Sequence, residues 1–150
     1  MNNHPLVGLK IINGIDLLQP AIPYISAHHE RFDGLGYPRG LKGDEIPLEG
    51  RLLAVVDTFD AILSDRPYRK GAPLKIALRE LIVHKDTQFD GRMVDVFVEL
   101  LRSGKIDLRG LYGRDEEMAQ VADLIAELTS PETETQTEPA QTTPAESAAQ

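Results

Sequence analysis

The sequence contains no cysteine and no tryptophan, and only 5% of its 150 residues are aromatic. The absence of cysteine excludes disulfide bonds and thiolate metal sites. The 16 Lys and Arg are outnumbered by 24 Asp and Glu, and the net charge of −8 argues against non-specific binding to nucleic acid or an anionic membrane. No apolar run approaches the roughly 18 residues of a membrane span, and no signal peptide opens the chain. We therefore expect a cytoplasmic protein with no membrane segment and no DNA or RNA polymer as partner.

The composition changes sharply near Thr129. Residues 129–150 contain no Leu, Ile, Val or aromatic residue, and they carry four glutamates without a Lys or Arg. Such a segment cannot bury enough apolar surface to offset the chain entropy that folding removes. The sequence therefore predicts a folded domain over residues 1–128 and a disordered acidic tail, rich in Thr, Pro, Glu and Ala, over residues 129–150.

Apolar residues recur at helical spacing through most of residues 1–128, and no alternating strand pattern competes. Proline and an N-cap aspartate mark helix starts, and glycine marks a helix end. The predicted helices run from Pro5 through Leu18, from Pro23 to about His29, from Pro47, from Pro73, from Asp90 to Gly104, and over residues 115–128. The third carries Leu48, Leu52, Val55, Phe59 and Ile62 on its predicted buried face. Residues 31–47 hold four glycines and two prolines and are predicted to form a loop. The predicted fold class is all-α.

Histidine is rare in the chain, yet two of its four histidines are adjacent. His28 and His29 are predicted at a helix end, His4 just before a helix start, and His84 near another helix end. Neutral imidazole binds zinc, iron or manganese, and a helix end presents such side chains rigidly. The alternative is that the pair only stabilises the helix terminus through the helix dipole. Spacing alone leaves both interpretations open, because the chain has no histidine pair at i, i+4.

Several motifs, in order along the chain, resemble one protein family. They are HPLVG, HHERFDGLGYPRGL, EIPL, VVDTFDA, DRPYR and QFD, and together they extend from about His4 to Leu101. This set closely resembles the HD-GYP family of cyclic di-GMP phosphodiesterases, a branch of the HD metal-dependent phosphohydrolases. The resemblance implies an all-α helical bundle of the HD-domain type around two or three divalent metal ions, usually iron or manganese.

The resemblance implies a metal site in this chain. His4, His28, His29 and Asp57 match ligand positions of the family. Periodicity by itself predicts a different role for Asp57, which lies opposite the apolar face of its helix and would be a solvated acid. The small residues on its side of the helix, such as Ala61, fit a surface that another group approaches closely. Four ligands suffice for one metal site and fall short of two.

The resemblance also implies a binding site for cyclic di-GMP. Tyr37 matches the aromatic residue of the family that contacts the substrate. Arg66 and Arg69 match cations that hold the phosphates of the dinucleotide, and a planar guanidinium binds phosphate oxygens bidentately. His84 matches no position of the family and is interpreted as a surface helix residue.

Neighbouring residues have structural interpretations. Glu30 and Asp33 are interpreted as hydrogen-bond acceptors that order the loop. Asp60 is a candidate partner that orients a ligating group. Phe59 and Tyr68 are interpreted as packing residues.

The chain has no His–Asp dipeptide, the feature for which the family is named. In the family that dipeptide lies ahead of the HP motif, and here only three residues precede the motif. We therefore expect the C-terminal part of an HD-GYP domain, truncated at its N-terminus and inactive alone. The missing N-terminal HD half and a sensory or receiver domain are the expected partners, and the resemblance also allows a homodimer.

Three functions are compatible with these observations. The first is a fragment of a metal-dependent phosphodiesterase, a hydrolase that converts cyclic di-GMP to linear pGpG or to GMP in bacterial second-messenger signal transduction. The second is a non-catalytic module that binds cyclic di-GMP through Tyr37, Arg66 and Arg69. The third is a helical interaction module. The retained ligands and arginines favour the first over the third, and the missing dipeptide keeps the second open.

Overall fold

The computed structural model describes residues 4–130, with side chains from Val7 onward. Over these residues it contains seven α-helices: α1 (His4–Ile12), α2 (Ile22–Ala27), α3 (Leu48–Leu63), α4 (Leu74–Val83), α5 (Gly91–Arg102), α6 (Asp115–Ala119) and α7 (Val121–Leu128). Two short 3₁₀ helices, Asp16–Ala21 and Gly43–Glu45, lie in the connections. The described residues form no β-strand, and the predicted all-α fold class is confirmed.

Local sequence signals set the starts of the three longest helices. Pro47 and Pro73 are the residues directly before α3 and α4. Asp90 caps α5, because its carboxylate accepts a hydrogen bond of 3.0 Å from the backbone N–H of Arg92. Gly104 follows α5 with a φ of +67°, in the left-handed region that glycine adopts without steric cost.

Two predicted helices are shorter than the apolar spacing indicated. The first ends at Ile12 rather than at Leu18, because Gly14 adopts a φ of +100° and turns the chain. The helix predicted over residues 115–128 is divided at Gln120, where the backbone leaves helical values with φ −103° and ψ 10°. The apolar spacing continues across both breaks, so periodicity alone does not reveal them.

The hydrophobic core lies between α3, α4 and α5, and α6 and α7 pack against it. Its larger side chains are Val55, Phe59, Leu63, Leu74, Leu78, Leu81, Val94, Phe97, Leu101, Met118 and Ile125. Phe59 and Phe97 pack edge to face, with their ring centroids 5.0 Å apart and an interplanar angle of 76°. The predicted packing role of Phe59 is confirmed.

The predicted buried face of α3 is wrong at its first two turns. Leu48 and Leu52 are 54% and 43% exposed. This part of α3 packs instead through Gly50, on the other side of the helix, where a β-carbon would lie 2.6 Å from the Cβ of Ala27 in α2. Helix α2, which ends directly before His28, therefore lies in close contact with α3.

Helix α7 ends at Leu128, and the domain boundary predicted there stays a prediction. Thr129 closes that helix, with its N–H and its hydroxyl donating to the carbonyl of Ile125 at 3.0 and 2.9 Å. Residues 131–150, which are most of the predicted tail, lie outside the described residues, so the tail stays a prediction. No helix within residues 4–130 has the length and apolar character of a membrane span.

Candidate functional site

The histidine pair lies at the end of α2, with His28 as the C-cap residue of the helix. The Nδ1 atom of His28 lies 3.0 Å from the carbonyl oxygen of Ile25. Since a carbonyl oxygen only accepts, Nδ1 is the donor in this contact, and Nε2 is the nitrogen that a neutral His28 would offer to a metal ion. The rings of His28 and His29 lie with centroids 4.0 Å apart and planes tilted by 43°. The helix end thus sets the orientation of the pair.

Tyr37 returns to the histidine pair from the loop that follows it. Its backbone N–H donates to the carbonyl of His29 at 3.1 Å. Its ring stacks on the imidazole of His29, with centroids 4.8 Å apart and planes 20° from parallel. Gly36 permits this return, because a β-carbon there would lie 2.2 Å from the backbone nitrogen of Arg31. The GYP motif therefore places an aromatic ring against a predicted metal ligand.

A buried carboxylate orders the same loop. Glu30 is only 3% exposed, and its two oxygens accept hydrogen bonds from the backbone N–H groups of Arg39 at 2.8 Å and Leu41 at 3.0 Å. Asp33 accepts from the guanidinium of Arg31 at 2.7 Å, and this bond lowers the pKa of Asp33 below its ordinary value. The interpretation of Glu30 and Asp33 as loop-ordering acceptors is confirmed.

The start of the loop also binds the connection between α4 and α5. Phe32 N–H donates to the carbonyl of Gln88 at 3.1 Å. Arg31 Nη1 donates to the side-chain oxygen of the same Gln88 at 3.0 Å, across 57 positions of sequence. These bonds bring Gln88 beside the histidine pair.

Asp57 is exposed on α3 and lines the same cleft as the histidine pair. Ala54 and Ala61, about one turn before and after it, also line the cleft. Their small side chains leave room beside the carboxylate. Asp57 thus lies at the cleft rather than on a surface remote from the histidines.

The two predicted phosphate-binding arginines occupy one tight turn but different positions. Arg66 N–H donates to the carbonyl of Arg69 at 2.8 Å, and Arg69 N–H donates back at 3.1 Å. Arg69 lines the cleft, and its Nη2 donates to the carbonyl of Ala61 at 2.7 Å. Arg66 is exposed and does not line the cleft. Tyr68, between them, is 92% exposed, so its predicted packing role is wrong.

These parts meet in one open cleft with a volume of about 580 Å³. The predicted site residues that line it are His28, His29, Tyr37, Asp57 and Arg69. Lining residues that the sequence analysis missed include Arg31, Thr58, Ile76, Glu80 and Gln88. Ile76 and Glu80 lie one turn apart on α4, outside its buried leucine stripe, and this second stripe is a signal that could have indicated them. Gln88 begins the QFD motif, which by itself indicates no site role for it, and tertiary hydrogen bonds bring it to the cleft.

The donor chemistry of the cleft fits a divalent transition metal. Imidazole nitrogen and carboxylate oxygen are ligands of iron, manganese and zinc, and His28, His29 and Asp57 supply them. Within the described residues, no three or more His, Asp or Glu lie together as a group that could hold a metal ion, so His28, His29 and Asp57 share the cleft without forming such a group. The side chain of His4, the fourth predicted ligand, lies outside the described ones. Metal binding by these residues stays a prediction.

Asp60 has partners outside the cleft. Its Oδ1 accepts hydrogen bonds from Tyr112 Oη at 2.9 Å and from Ser64 Oγ at 3.0 Å. Burial, together with the hydrogen bond to Asp60, raises the pKa of Tyr112 to about 12. Asp60 therefore holds the α5–α6 connection rather than a metal-ligating group. His84 lies half-exposed at the end of α4, as predicted.

Comparison with known proteins gives the family. Residues 1–93 match the HD domain family. The chain belongs to the HD domain family. It is 41% identical over 116 residues to the cyclic di-GMP phosphodiesterase response regulator RpfG of Xanthomonas campestris pv. campestris, with 76% of this chain and 30% of that relative covered. It is 36% identical over 119 residues to a cyclic di-GMP phosphodiesterase of Thermotoga maritima, with coverages of 78% and 31%.

A third relative is named for a different substrate. The 3'3'-cGAMP-specific phosphodiesterase 2 of Vibrio cholerae is 36% identical over 101 residues, with 66% of this chain and 19% of the relative covered. All three relatives are named as phosphodiesterases of cyclic dinucleotides, and the family predicted from the motifs is confirmed. The chain spans about 30% of the length of the first two relatives.

Proposed function

We propose that this HD domain chain forms the substrate cleft of a metal-dependent phosphodiesterase that hydrolyses cyclic di-GMP in bacterial second-messenger signalling, to linear pGpG or to GMP. The observation that carries the proposal is the meeting of predicted metal ligands, an aromatic residue and an arginine in one cleft. The similarity to two cyclic di-GMP phosphodiesterases over about three quarters of the chain supports it.

The histidine pair would hold the metal ion. His28 and His29 supply imidazole nitrogens and Asp57 a carboxylate, with His4 as a further ligand. The hydrogen bond of His28 to the α2 backbone and the stacking of Tyr37 on His29 restrict both imidazoles, which supports a role of the pair as metal ligands. A bound divalent ion, iron or manganese by the family resemblance, supplies Lewis-acid activation of the phosphodiester.

The arginines would hold the phosphates. Arg69 uses one guanidinium donor on the carbonyl of Ala61, which fixes the group at the cleft wall. A guanidinium has five N–H donors, so others can bind phosphate oxygens. Arg66 would reach the ligand from the exposed side of the same turn. The cleft volume of about 580 Å³ lies within the usual range of small-molecule sites.

Calorimetric titration of the full chain with cyclic di-GMP, in the presence of Mn²⁺, tests the proposal. We expect saturable binding. His28→Ala and His29→Ala should lower the bound metal, whereas Arg69→Ala should weaken binding of cyclic di-GMP roughly tenfold or more while the metal content is kept. His84→Ala is the control, because it removes a histidine outside the cleft and should change neither quantity.

Product analysis separates the two nucleotide-binding hypotheses when the N-terminal half of an HD-GYP domain is supplied in trans, because the enzyme fragment is expected to be inactive alone. Formation of pGpG or GMP that His29→Ala abolishes supports the enzyme. Binding without turnover under these conditions supports instead the cyclic di-GMP-binding module. Failure of the wild-type chain to bind cyclic di-GMP with either Mn²⁺ or Fe²⁺ overturns the proposed function.

A further inference from the structure

Helix α4 has one face in the core and another at the cleft. The core face carries Leu74, Leu78 and Leu81, all fully buried. Ile76 and Glu80 lie on a different side of the helix, one turn apart, and both line the cleft. The side chain of Glu80 is 40% exposed. The cleft therefore has an acidic group on the α4 wall in addition to the predicted metal ligands.

The carboxylate of Glu80 differs from the other acids beside the loop. Glu30 uses both oxygens on backbone N–H groups, and Asp33 pairs with Arg31. Within residues 7–130, the side chain of Glu80 has one ionic contact, with Nε2 of His84 at 3.6 Å, and no hydrogen bond. Its oxygens accept no hydrogen bond from the described residues, and their one neighbouring cation, His84, is charged only when protonated.

An acceptor of this kind selects the part of a ligand that carries donors. The phosphates of a cyclic dinucleotide are anionic, so a carboxylate repels them. The Watson–Crick edge of guanine carries two adjacent donors, N1–H and the N2 amino group, which match the two oxygens of one carboxylate. The same edge of adenine places an acceptor, N1, beside its amino group, and that acceptor would face a carboxylate oxygen unfavourably.

We propose that Glu80 is the residue by which the cleft recognises guanine, through hydrogen bonds accepted from N1–H and the N2 amino group. The inference rests on the proposed function and specifies which base of the dinucleotide the cleft selects. Both cyclic di-GMP and 3'3'-cGAMP, after which the relatives are named, contain guanine.

Gln88 supplies the complementary donor. An arginine side chain has only donors, so the group of Gln88 that lies 3.0 Å from Arg31 Nη1 is its amide oxygen. The amide nitrogen of Gln88 therefore carries the N–H donors, and guanine O6 is an acceptor beside N1. Glu80 and Gln88 line the same cleft, so the cleft carries both an acceptor and a donor of the kinds that the guanine edge requires.

The competing explanation is that Glu80 only stabilises the last turn of α4 through His84. In that case His84→Ala would reproduce the effect of Glu80→Gln, since either change removes the same contact. Guanine recognition predicts a different result, because His84 does not line the cleft.

Titration of the full chain with cyclic di-GMP and with cyclic di-AMP, in the presence of Mn²⁺, tests the inference. The two ligands share the phosphate–ribose ring and differ in the base. The wild-type chain should prefer cyclic di-GMP. Glu80→Gln keeps the shape of the side chain and should lower the affinity for cyclic di-GMP roughly tenfold to a hundredfold, whereas the affinity for cyclic di-AMP should change less than about twofold.

Three matched variants locate the effect. Arg69→Ala should lower the affinity for both ligands by similar factors, because both ligands carry the same phosphates. His84→Ala should leave the ratio of the two dissociation constants unchanged. Glu99→Gln, which alters a half-exposed helical glutamate paired with Arg102 on α5, should also leave it unchanged.

The outcomes separate this inference from the proposed function. Equal wild-type affinities for the two ligands, an unchanged ratio in Glu80→Gln, or the same shift in His84→Ala as in Glu80→Gln overturns the role of Glu80 and leaves the proposed function standing. Failure of the wild-type chain to bind either dinucleotide overturns the proposed function itself.

Discussion

The stacking of Tyr37 on His29 gives the tyrosine a role beyond the substrate contact that the resemblance implied. The ring centroids lie 4.8 Å apart, so the tyrosine restricts the imidazole that is predicted to bind the metal. An aromatic pair of this kind contributes about 0.5–1.5 kcal/mol beyond buried area. The stacked ring of Tyr37 makes this contact.

Substitution of Tyr37 separates the ring from the hydroxyl. Tyr37→Phe keeps the stack and should retain the metal affinity of the wild-type chain. Tyr37→Ala removes the ring and should lower the metal affinity about twofold to tenfold, which corresponds to the energy of the aromatic pair. Titration with Mn²⁺ measures both values. An equal loss in the two variants would contradict the supporting role of the ring.

The buried carboxylate of Glu30 predicts a large stability effect for a loop residue. Glu30→Ala removes a buried carboxylate and leaves the N–H groups of Arg39 and Leu41, whose hydrogen bonds are partly buried, without their acceptor; a lost acceptor costs about 1–3 kcal/mol where water cannot replace it. We expect a fall of roughly 2–4 kcal/mol in the free energy of unfolding. Urea denaturation measures it.

Glu45 provides the control for Glu30. It also accepts a backbone hydrogen bond, from Lys42 N–H at 3.0 Å, but it is exposed. Glu45→Ala should therefore lower the free energy of unfolding clearly less than Glu30→Ala does, because water can replace the lost acceptor. Similar losses in the two variants would mean that the burial of Glu30 is unimportant.

At the scale of elements, the contact between α2 and α3 controls the position of the histidine pair. A β-carbon at Gly50 would lie 2.6 Å from the Cβ of Ala27 and 3.1 Å from its backbone carbonyl. Glycine in a helix interior normally costs about 1 kcal/mol relative to alanine. At Gly50 the close approach of α2 outweighs that cost.

Gly50→Ala should therefore destabilise the protein by roughly 1–3 kcal/mol through overpacking. It should also lower the bound metal, because α2 is displaced together with His28 and His29. Gly8→Ala in α1 is the control, since the added carbon meets only the side chain of Ile25, at 3.3 Å. Thermal unfolding and metal analysis check both variants. A more stable Gly50→Ala with full metal content would contradict the expectation.

At the scale of the whole molecule, a network around Asp90 joins three segments. The buried carboxylate of Asp90 at the start of α5 binds Arg51 of α3 and Arg92 of α5, each at 2.8 Å. Both arginines also bind Asp44 of the loop, at 2.7 and 2.6 Å. Burial alone would raise the pKa of Asp90, but the hydrogen bonds from Arg92 and Arg51 outweigh it and lower the pKa. The network therefore links the loop to the helical core.

The lowered pKa of Asp90 predicts acid sensitivity. Because the pKa in the folded state lies below the unfolded value of about 3.9, the stabilisation by ionised Asp90 is present above about pH 4 and is lost as the pH falls through the folded pKa. Asp90→Asn keeps an N-cap acceptor and should lower the free energy of unfolding at pH 7 by roughly 1.5–3 kcal/mol. It should also reduce the dependence of stability on pH below pH 4.

Urea denaturation between pH 7 and pH 2 measures this pH dependence. Asp107→Asn is the control: the hydrogen bonds of Arg109 lower the pKa of Asp107 to about 2, but the carboxylate is exposed. The pair is two residues apart, so much of its interaction can persist in the unfolded chain. A pH profile of Asp90→Asn parallel to that of the wild-type chain would exclude the network as a source of acid sensitivity.

The local features of the fold could be predicted because their causes are local. Pro47, Pro73 and Asp90 set helix starts through the chemistry of one or two residues. The buried stripes of α4 and α5 follow from apolar spacing, since a helix in a small domain must bury one side. Prediction was wrong at Leu48 and Leu52, because spacing does not show which neighbour a helix will meet.

The helical class, most helix starts and the family follow from the sequence alone, because caps, periodicity and motifs are properties of short segments. Which residues share the cleft depends on tertiary contacts. Arg69 and Arg66 belong to one motif, yet only Arg69 lines the cleft, while Glu80 lines it from outside every motif and Gln88 from QFD, a motif without a predicted site residue. The helices that form the cleft meet through contacts between residues far apart in the chain. The close approach of Gly50 in α3 to Ala27 in α2 is one such contact, and no short segment of sequence shows it.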